Sequence, residues 1–163
     1  MSKQAEIDKF GLESYDDFLC LRPPRLLIGC LVFLCRGLVI FVLAAASRGS
    51  LPGLNDLGDT ETVNFASTLA TLPAALVLYA VGARVPSAPA FVRWIWRQGR
   101  TLVLLSAAAY VALAVTRLAA QPRAWAGTGS LTAKAMVAVE LGIIGYVLLS
   151  DRVRHAFQDF PTE

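Results

Sequence analysis

Four apolar blocks, each about as long as a bilayer core is thick, limit what this chain can fold into. The blocks cover residues 26–46, 65–83, 101–120 and 131–150. A helix rising about 1.5 Å per residue needs about 20 residues to cross a hydrocarbon core of roughly 30 Å. A segment in lipid must also satisfy its own backbone hydrogen bonds, which makes it helical. The sequence therefore predicts an all-α polytopic membrane protein, a bundle of four transmembrane helices with short loops.

The composition agrees with this fold and argues against a nucleic-acid partner. Hydrophobic residues make up 56% of the chain and charged residues 17%, whereas soluble domains usually carry about 25% charged residues. The net charge is +3, but the basic residues cluster at the ends of the apolar blocks rather than on one face of a soluble fold. We expect residues 1–163 to form a single membrane domain whose surroundings are the lipid bilayer.

The distribution of Lys and Arg predicts the orientation. Of the 15 basic residues, ten lie in the N-terminal segment 1–25, the second loop and the tail 151–163, and four lie in or beside the other two loops. Cytoplasmic segments carry the excess of positive charge, so both termini are predicted to be cytoplasmic. We also expect the two chain ends to pack together under the bundle. The second loop mixes aromatic residues with arginines, which suits the headgroup level. Its predicted interfacial anchors are Arg93, Trp94, Trp96 and Arg97.

Two full charges lie deep inside the blocks, Arg36 in the first and Glu140 in the fourth, whereas Arg117 and Lys134 lie within one turn of a block end. Each lies about 11 residues, or roughly 16 Å, from the predicted cytoplasmic end of its helix. Charges within a membrane are costly and usually pair inside the protein. The matched depth therefore predicts an ion pair between them. A structural link between the first and fourth helices is the simpler interpretation, and a proton, ion or anionic-substrate site is the functional alternative.

Weaker polar features accompany this pair. The hydroxyl of Tyr110 could join it, or the ring could simply pack at a helix interface. A polar stripe in the second block, beside Pro73, indicates either hydrogen bonds between helices or a small water-filled cavity. The stripe includes Ser67, Thr68 and Thr71.

The fourth block carries small residues on the side opposite Glu140. These residues are Ala138, Gly142 and Gly145. Small residues let membrane helices approach each other closely, so this helix has two faces that both favour protein over lipid. We therefore expect another membrane protein chain, either a partner subunit or a second copy, to contact this small-residue face.

Patterns typical of catalysis or cofactor binding are absent from the sequence. One histidine cannot form a bis-histidine haem site, the three cysteines lack metal-ligand spacing, and no Walker loop, GxSxG or HExxH motif occurs. We predict no enzymatic activity, catalytic residue, cofactor or metal. The leading functional hypothesis is a non-catalytic accessory, assembly or structural subunit of a membrane complex, or a small homo-oligomer. The alternative is a small transporter or channel that uses the Arg36/Glu140 cluster.

Two local patterns resemble a known protein family. One is YDDFLCLRPP at residues 15–24, which runs directly into the first block, and the other is the tail SDRVRHAFQDFP at residues 150–161. Together with four apolar blocks and a loop rich in Trp and Arg, they resemble the DUF2919 family of small bacterial inner-membrane proteins over nearly the whole chain. This resemblance implies a multi-pass location in the bacterial inner membrane and assigns no activity to any residue.

Overall fold

The computed structural model describes residues 20–47, 65–120 and 129–160, where the regular secondary structure consists of helices. This confirms the predicted all-α class. The helices of these ranges are α1 Arg25–Leu34, α2 Arg36–Ser47, α3 Phe65–Gly82, α4 Ala90–Arg97, α5 Gly99–Ala120, α6 Gly129–Leu149 and α7 Asp151–Gln158.

The first apolar block forms two helices rather than the single helix predicted for residues 26–46. α1 ends at Leu34, and Cys35 adopts φ −80° and ψ 0° before α2 begins. The Cys35 amide donates to the carbonyl of Leu31 at 2.9 Å, and the Val39 amide donates to the carbonyl of Cys35 at 3.1 Å. The chain therefore keeps a helical course through the break, which falls directly before Arg36.

Helix α5 is the centre of the bundle. It packs most extensively against α3 and α6 and also contacts α1, α4 and α7. Helices α1 and α2 pack mainly on α3, while α6 packs chiefly on α5. The core between these helices is apolar and close-packed, and its fully buried side chains include Leu31, Leu34, Val77, Val103 and Val147.

Among the described residues, the segment Gly99–Thr116 of α5 is long and apolar enough to cross a membrane. Helix α1 and the segment Thr68–Gly82 of α3 are apolar but shorter. The break at Cys35 divides the first block into helices of 10 and 12 residues, and neither alone reaches the roughly 20 residues of a full span.

Two short helices that were not predicted, α4 and α7, cover one end of the bundle. Helix α4 buries Val92, Ile95 and Trp96, and α7 buries Val153, Ala156 and Phe157. In each helix the buried positions recur at the three- and four-residue spacing of one helical face. Both short helices therefore present one apolar face to the bundle and one face outwards.

The contact between α5 and α7 requires a glycine. A Cβ atom added to Gly99 would overlap the ring of Phe157, whereas one added to Gly29 would have no neighbour within 4 Å. The Phe157 ring is buried and lies 5.0 Å from the ring of Trp96, centroid to centroid. It therefore has little freedom to move aside.

We predict that Gly99→Ala lowers the free energy of unfolding by about 1–3 kcal/mol, the usual cost of overfilling a packed interior. Gly29→Ala is the matched control, and it should leave stability unchanged or slightly raised because alanine favours a helix over glycine. Thermal unfolding of the two purified variants measures this difference. Equal stability of both variants would contradict the described packing of α7 on α5.

Candidate functional site

A buried ion pair joins the first and fourth apolar blocks. Nη2 of Arg36, at the start of α2, lies 2.6 Å from Oε1 of Glu140 in α6. The Glu140 side chain is 2% exposed and that of Arg36 is 19% exposed. The structure thus brings together the two charges whose depths match in the sequence.

The Arg36 guanidinium is held from several sides. Its Nη1 donates to the carbonyl of Phe33 at 3.0 Å, directly before the helix break at Cys35. Its Cζ atom lies 4.2 Å from the ring centroid of Phe33 and 4.5 Å from that of Tyr110. Cation–π contacts of this kind contribute most where water is excluded. One carboxylate, one carbonyl and two aromatic rings therefore fix the position of a single positive charge.

Glu140 reaches this point because of the periodicity of α6. Glu140, Ile143 and Val147 are all buried, at a spacing that places them on one face of the helix, towards α5. Helix α6 thus contributes one charged side chain and two apolar side chains to the interior. Chemically, the arrangement can hold a charge away from water and tie two helices together.

Tyr110 takes part through its ring and not through its hydroxyl. The residue is 8% exposed, and its ring stacks on the Arg36 guanidinium. Its hydroxyl is buried and has no hydrogen-bond partner among the described residues. The contact of Tyr110 with the ion pair is thus made by its ring, and a bond from its hydroxyl to the pair is not seen among the described residues.

The hydroxyls of Thr68 and Thr71, from the polar stripe of α3, are buried in the protein. Thr71 is fully buried, and its hydroxyl donates to the carbonyl of Thr68 in the same helix at 2.6 Å. The hydroxyl of Thr68 is buried without a partner in the described ranges. The Ser67 side chain lies outside the described residues. Among the described residues, neither threonine makes the direct bond between helices that one interpretation of the stripe predicted.

The hydroxyl that bonds across this interface belongs to Ser106, which the sequence reasoning missed. Ser106 Oγ donates to the carbonyl of Ala70 at 2.7 Å, and the residue is fully buried. This bond connects α5 to α3 three residues before Pro73, which lacks an amide hydrogen. A serine within an apolar block, opposite a proline-containing helix, is the signal that could have identified it.

Trp96 is not an interfacial anchor. It is 0% exposed, because the turn of α4 places it on the same inward face as Val92 and Ile95. The other three predicted anchors, Arg93, Trp94 and Arg97, are exposed. The helical form of this segment places Trp94 and Trp96, only two residues apart, on opposite faces.

Trp96 instead binds the C-terminal end of the described chain to the bundle, and Arg84 binds both ends. Its Nε1 donates to the carbonyls of Ala156 and Asp159 at 3.0 and 3.1 Å. Arg84 donates to the carbonyls of Leu21 and Asp159, each at 2.9 Å. The Leu21 amide donates to Asp159 Oδ2 at 3.1 Å. These contacts bring Leu21 next to Asp159, so the two ends of the described chain meet here.

The small-residue face of α6 points away from its neighbours. Ala138 and Gly142 are exposed, and Gly145 is half-buried. A Cβ atom added to either glycine would meet nothing within 4 Å. Contact between this face and another chain remains a prediction.

A metal site is not supported by the described side chains. In residues 20–47, 65–120 and 129–160, no group of three or more His, Cys, Asp and Glu side chains could hold an ion.

Comparison with known proteins identifies the family. The sequence profile described as "Protein of unknown function (DUF2919)" matches residues 10–159. The chain belongs to the DUF2919 family. The matched residues of this DUF2919 protein include both members of the ion pair and the Arg84, Trp96 and Asp159 contacts. No curated protein and no solved structure gave a match.

We predict that the contributions of Arg36 and Glu140 to the free energy of unfolding are strongly coupled. Arg36→Ala or Glu140→Ala should each lower stability by about 3–5 kcal/mol, because each leaves a buried charge without its partner. Glu140→Gln should be tolerated better, since its amide oxygen still accepts from Arg36. The double replacement Arg36→Leu with Glu140→Leu should recover most of the loss, because apolar packing often replaces a buried pair without cost.

Unfolding of the purified variants measures this coupling, and an exposed charge provides the control. Arg97→Ala removes an arginine that is exposed and should change stability little. If the double leucine variant loses as much stability as the two single alanine variants lose together, a coupled pair is contradicted.

Proposed function

We propose that this DUF2919 protein is a multi-pass protein of the bacterial inner membrane, with four spans and both termini in the cytoplasm. In this proposal it acts as a non-catalytic subunit of a membrane-protein assembly. It binds another membrane protein chain through the outward face of α6.

The distribution of apolar side chains supports a lipid environment. Large apolar residues are exposed on every long helix of the described ranges, and large exposed apolar areas are typical of interfaces with membranes or proteins. Between Arg100 and Arg117, α5 carries no charged residue. The exposed residues on the long helices include Val32, Val39, Leu69, Leu76, Leu105, Val115, Leu141 and Leu148. The Arg36–Glu140 pair, in contrast, is turned inwards.

The observation that carries the assembly proposal is the two-faced form of α6. One face packs on α5 with Ile143 and Val147 buried, and on this face Glu140 pairs with Arg36 of α2. The opposite face carries Ala138 and Gly142, with open space above Gly142. In lipid, apolar side chains alone give helices no reason to associate, and association depends on close packing and on small residues that permit it. A helix at the edge of the bundle with such a face is suited to bind a second protein.

A small transporter or channel is the second candidate, and one observation favours it. The hydroxyls of Tyr110 and Thr68 are both buried without a partner among the described residues, and buried polar groups normally have one. These hydroxyls and the Arg36 guanidinium could line a narrow polar path. The double variant Arg36→Leu with Glu140→Leu distinguishes the two candidates. If this variant keeps the assembly intact but abolishes its biological activity, the transporter or channel function is supported and a structural role of the pair is contradicted.

We predict that Gly142→Leu dissociates the native assembly and leaves the chain inserted in the membrane. A leucine there projects from the face that is proposed to meet the partner, and no neighbour within the chain obstructs it. Gly29→Leu is the matched control, because Gly29 is also an exposed helical glycine with nothing within 4 Å. The measurement is native mass spectrometry of the protein extracted in mild detergent.

The masses decide between the possible outcomes. The unmodified protein and Gly29→Leu should share a mass above that of one 17.5 kDa chain, and Gly142→Leu should fall to the single chain. A whole multiple of 17.5 kDa identifies a second copy, and any other mass identifies a partner subunit. A single-chain mass for all three proteins, or the same assembly for all three, would overturn the proposal.

A further inference from the structure

We infer that the outward face of α4 binds the headgroup of an anionic phospholipid. The inference rests on the proposed location in a membrane. It adds to that proposal a specific lipid class and the residues that select it.

The face is defined by the helical positions of α4. With about 100° per residue, Arg93 and Arg97 lie on one flank of the outward face, and Phe91 and Trp94 lie on the other. The two aromatic residues are 58% and 56% exposed. Their rings are stacked, with centroids 6.5 Å apart. The inward face is fully occupied by Val92, Ile95 and Trp96, which are at most 1% exposed.

Contacts on its inward face hold α4 in place. The side chains of its outward face therefore start from fixed backbone positions. The buried Trp96 is bonded to the carbonyls of Ala156 and Asp159 and is in contact with the Phe157 ring. Rotation of α4 would break these bonds and expose the indole. The outward face is therefore presented in one orientation.

Among the described residues at this end of the bundle, the balance of charge favours an anion. The described residues here contain eight arginines and two aspartates, and one of the aspartates accepts a hydrogen bond from the Leu21 amide. Helix α4 itself contains no acidic residue. The arginines are Arg22, Arg25, Arg84, Arg93, Arg97, Arg100, Arg152 and Arg154, and the aspartates are Asp151 and Asp159.

The combination of residues on this face fits a lipid better than a free anion. Guanidinium groups hold phosphate oxygens with geometric specificity, while Trp and Phe side chains occupy the boundary between headgroups and acyl chains. Arg93 and Arg97 are one helical turn apart and can approach the same headgroup. A soluble phosphate would use the arginines and leave the aromatic flank without a role.

The test uses Trp94 as its own probe in reconstituted full-length protein. Trp125 is replaced by Phe, so that Trp94 and the buried Trp96 are the remaining indoles. Vesicles of phosphatidylcholine receive dibrominated phosphatidylglycerol or dibrominated phosphatidylcholine, and quenching of Trp fluorescence gives the relative binding constant of the two lipids. We expect phosphatidylglycerol to be preferred, by about fivefold per arginine at low salt, with a smaller preference at higher salt.

Two double variants, each of which removes two arginines, show which residues produce the preference for phosphatidylglycerol. Arg93→Gln with Arg97→Gln should reduce it to near unity, while Arg25→Gln with Arg154→Gln, which removes two exposed arginines elsewhere at the same end, should keep it. Equal quenching by both lipids in the unmodified protein, or an equal loss in both double variants, would overturn the inference. Absence of quenching by either lipid would instead show that Trp94 does not reach a membrane, which contradicts the proposed membrane location itself.

Discussion

The ion pair between Arg36 and Glu140 is the interaction on which the rest of the bundle depends. It connects α2 to α6, two helices that otherwise pack mainly on different partners, α3 and α5. A charge buried at this depth must be paired, so the two helices cannot slide or rotate independently. The break at Cys35 belongs to the same arrangement, since it places the Phe33 carbonyl within reach of the guanidinium.

A second network fixes the end of the bundle where the loops and both chain ends meet. Arg84 and Trp96 donate to backbone carbonyls of segments far apart in sequence. The two side chains also pack against each other, with the Arg84 Cζ 4.8 Å from the centroid of the Trp96 ring. Because α4 is held by its inward face, its outward face is available to the surroundings. The ion pair thus orders the helices, and the end network sets which residues reach the surface.

The sequence predicted the helical class and the ion pair because both follow from strong constraints. Apolar length favours a spanning helix, and two lone charges at equal depth have few ways to avoid a large desolvation penalty. The break at Cys35, the burial of Trp96 and the bond from Ser106 to Ala70 were not predicted. Each depends on how a side chain meets a neighbour in three dimensions. Trp96 shows this most clearly, since its composition-based assignment to the headgroup level ignored the helical turn that separates it from Trp94.

Membrane insertion around a buried ion pair is the central claim, and the depth of Val39 tests it most directly. Val39 follows Arg36 by three residues and is 53% exposed on the outside of α2. A nitroxide spin label attached to Val39→Cys, in a reconstituted variant whose Cys20, Cys30 and Cys35 are replaced by alanine, reports its surroundings by paramagnetic resonance. The account predicts frequent collisions with apolar oxygen and few with a water-soluble nickel complex. The reverse ranking, with the nickel complex reaching the label freely, would contradict it.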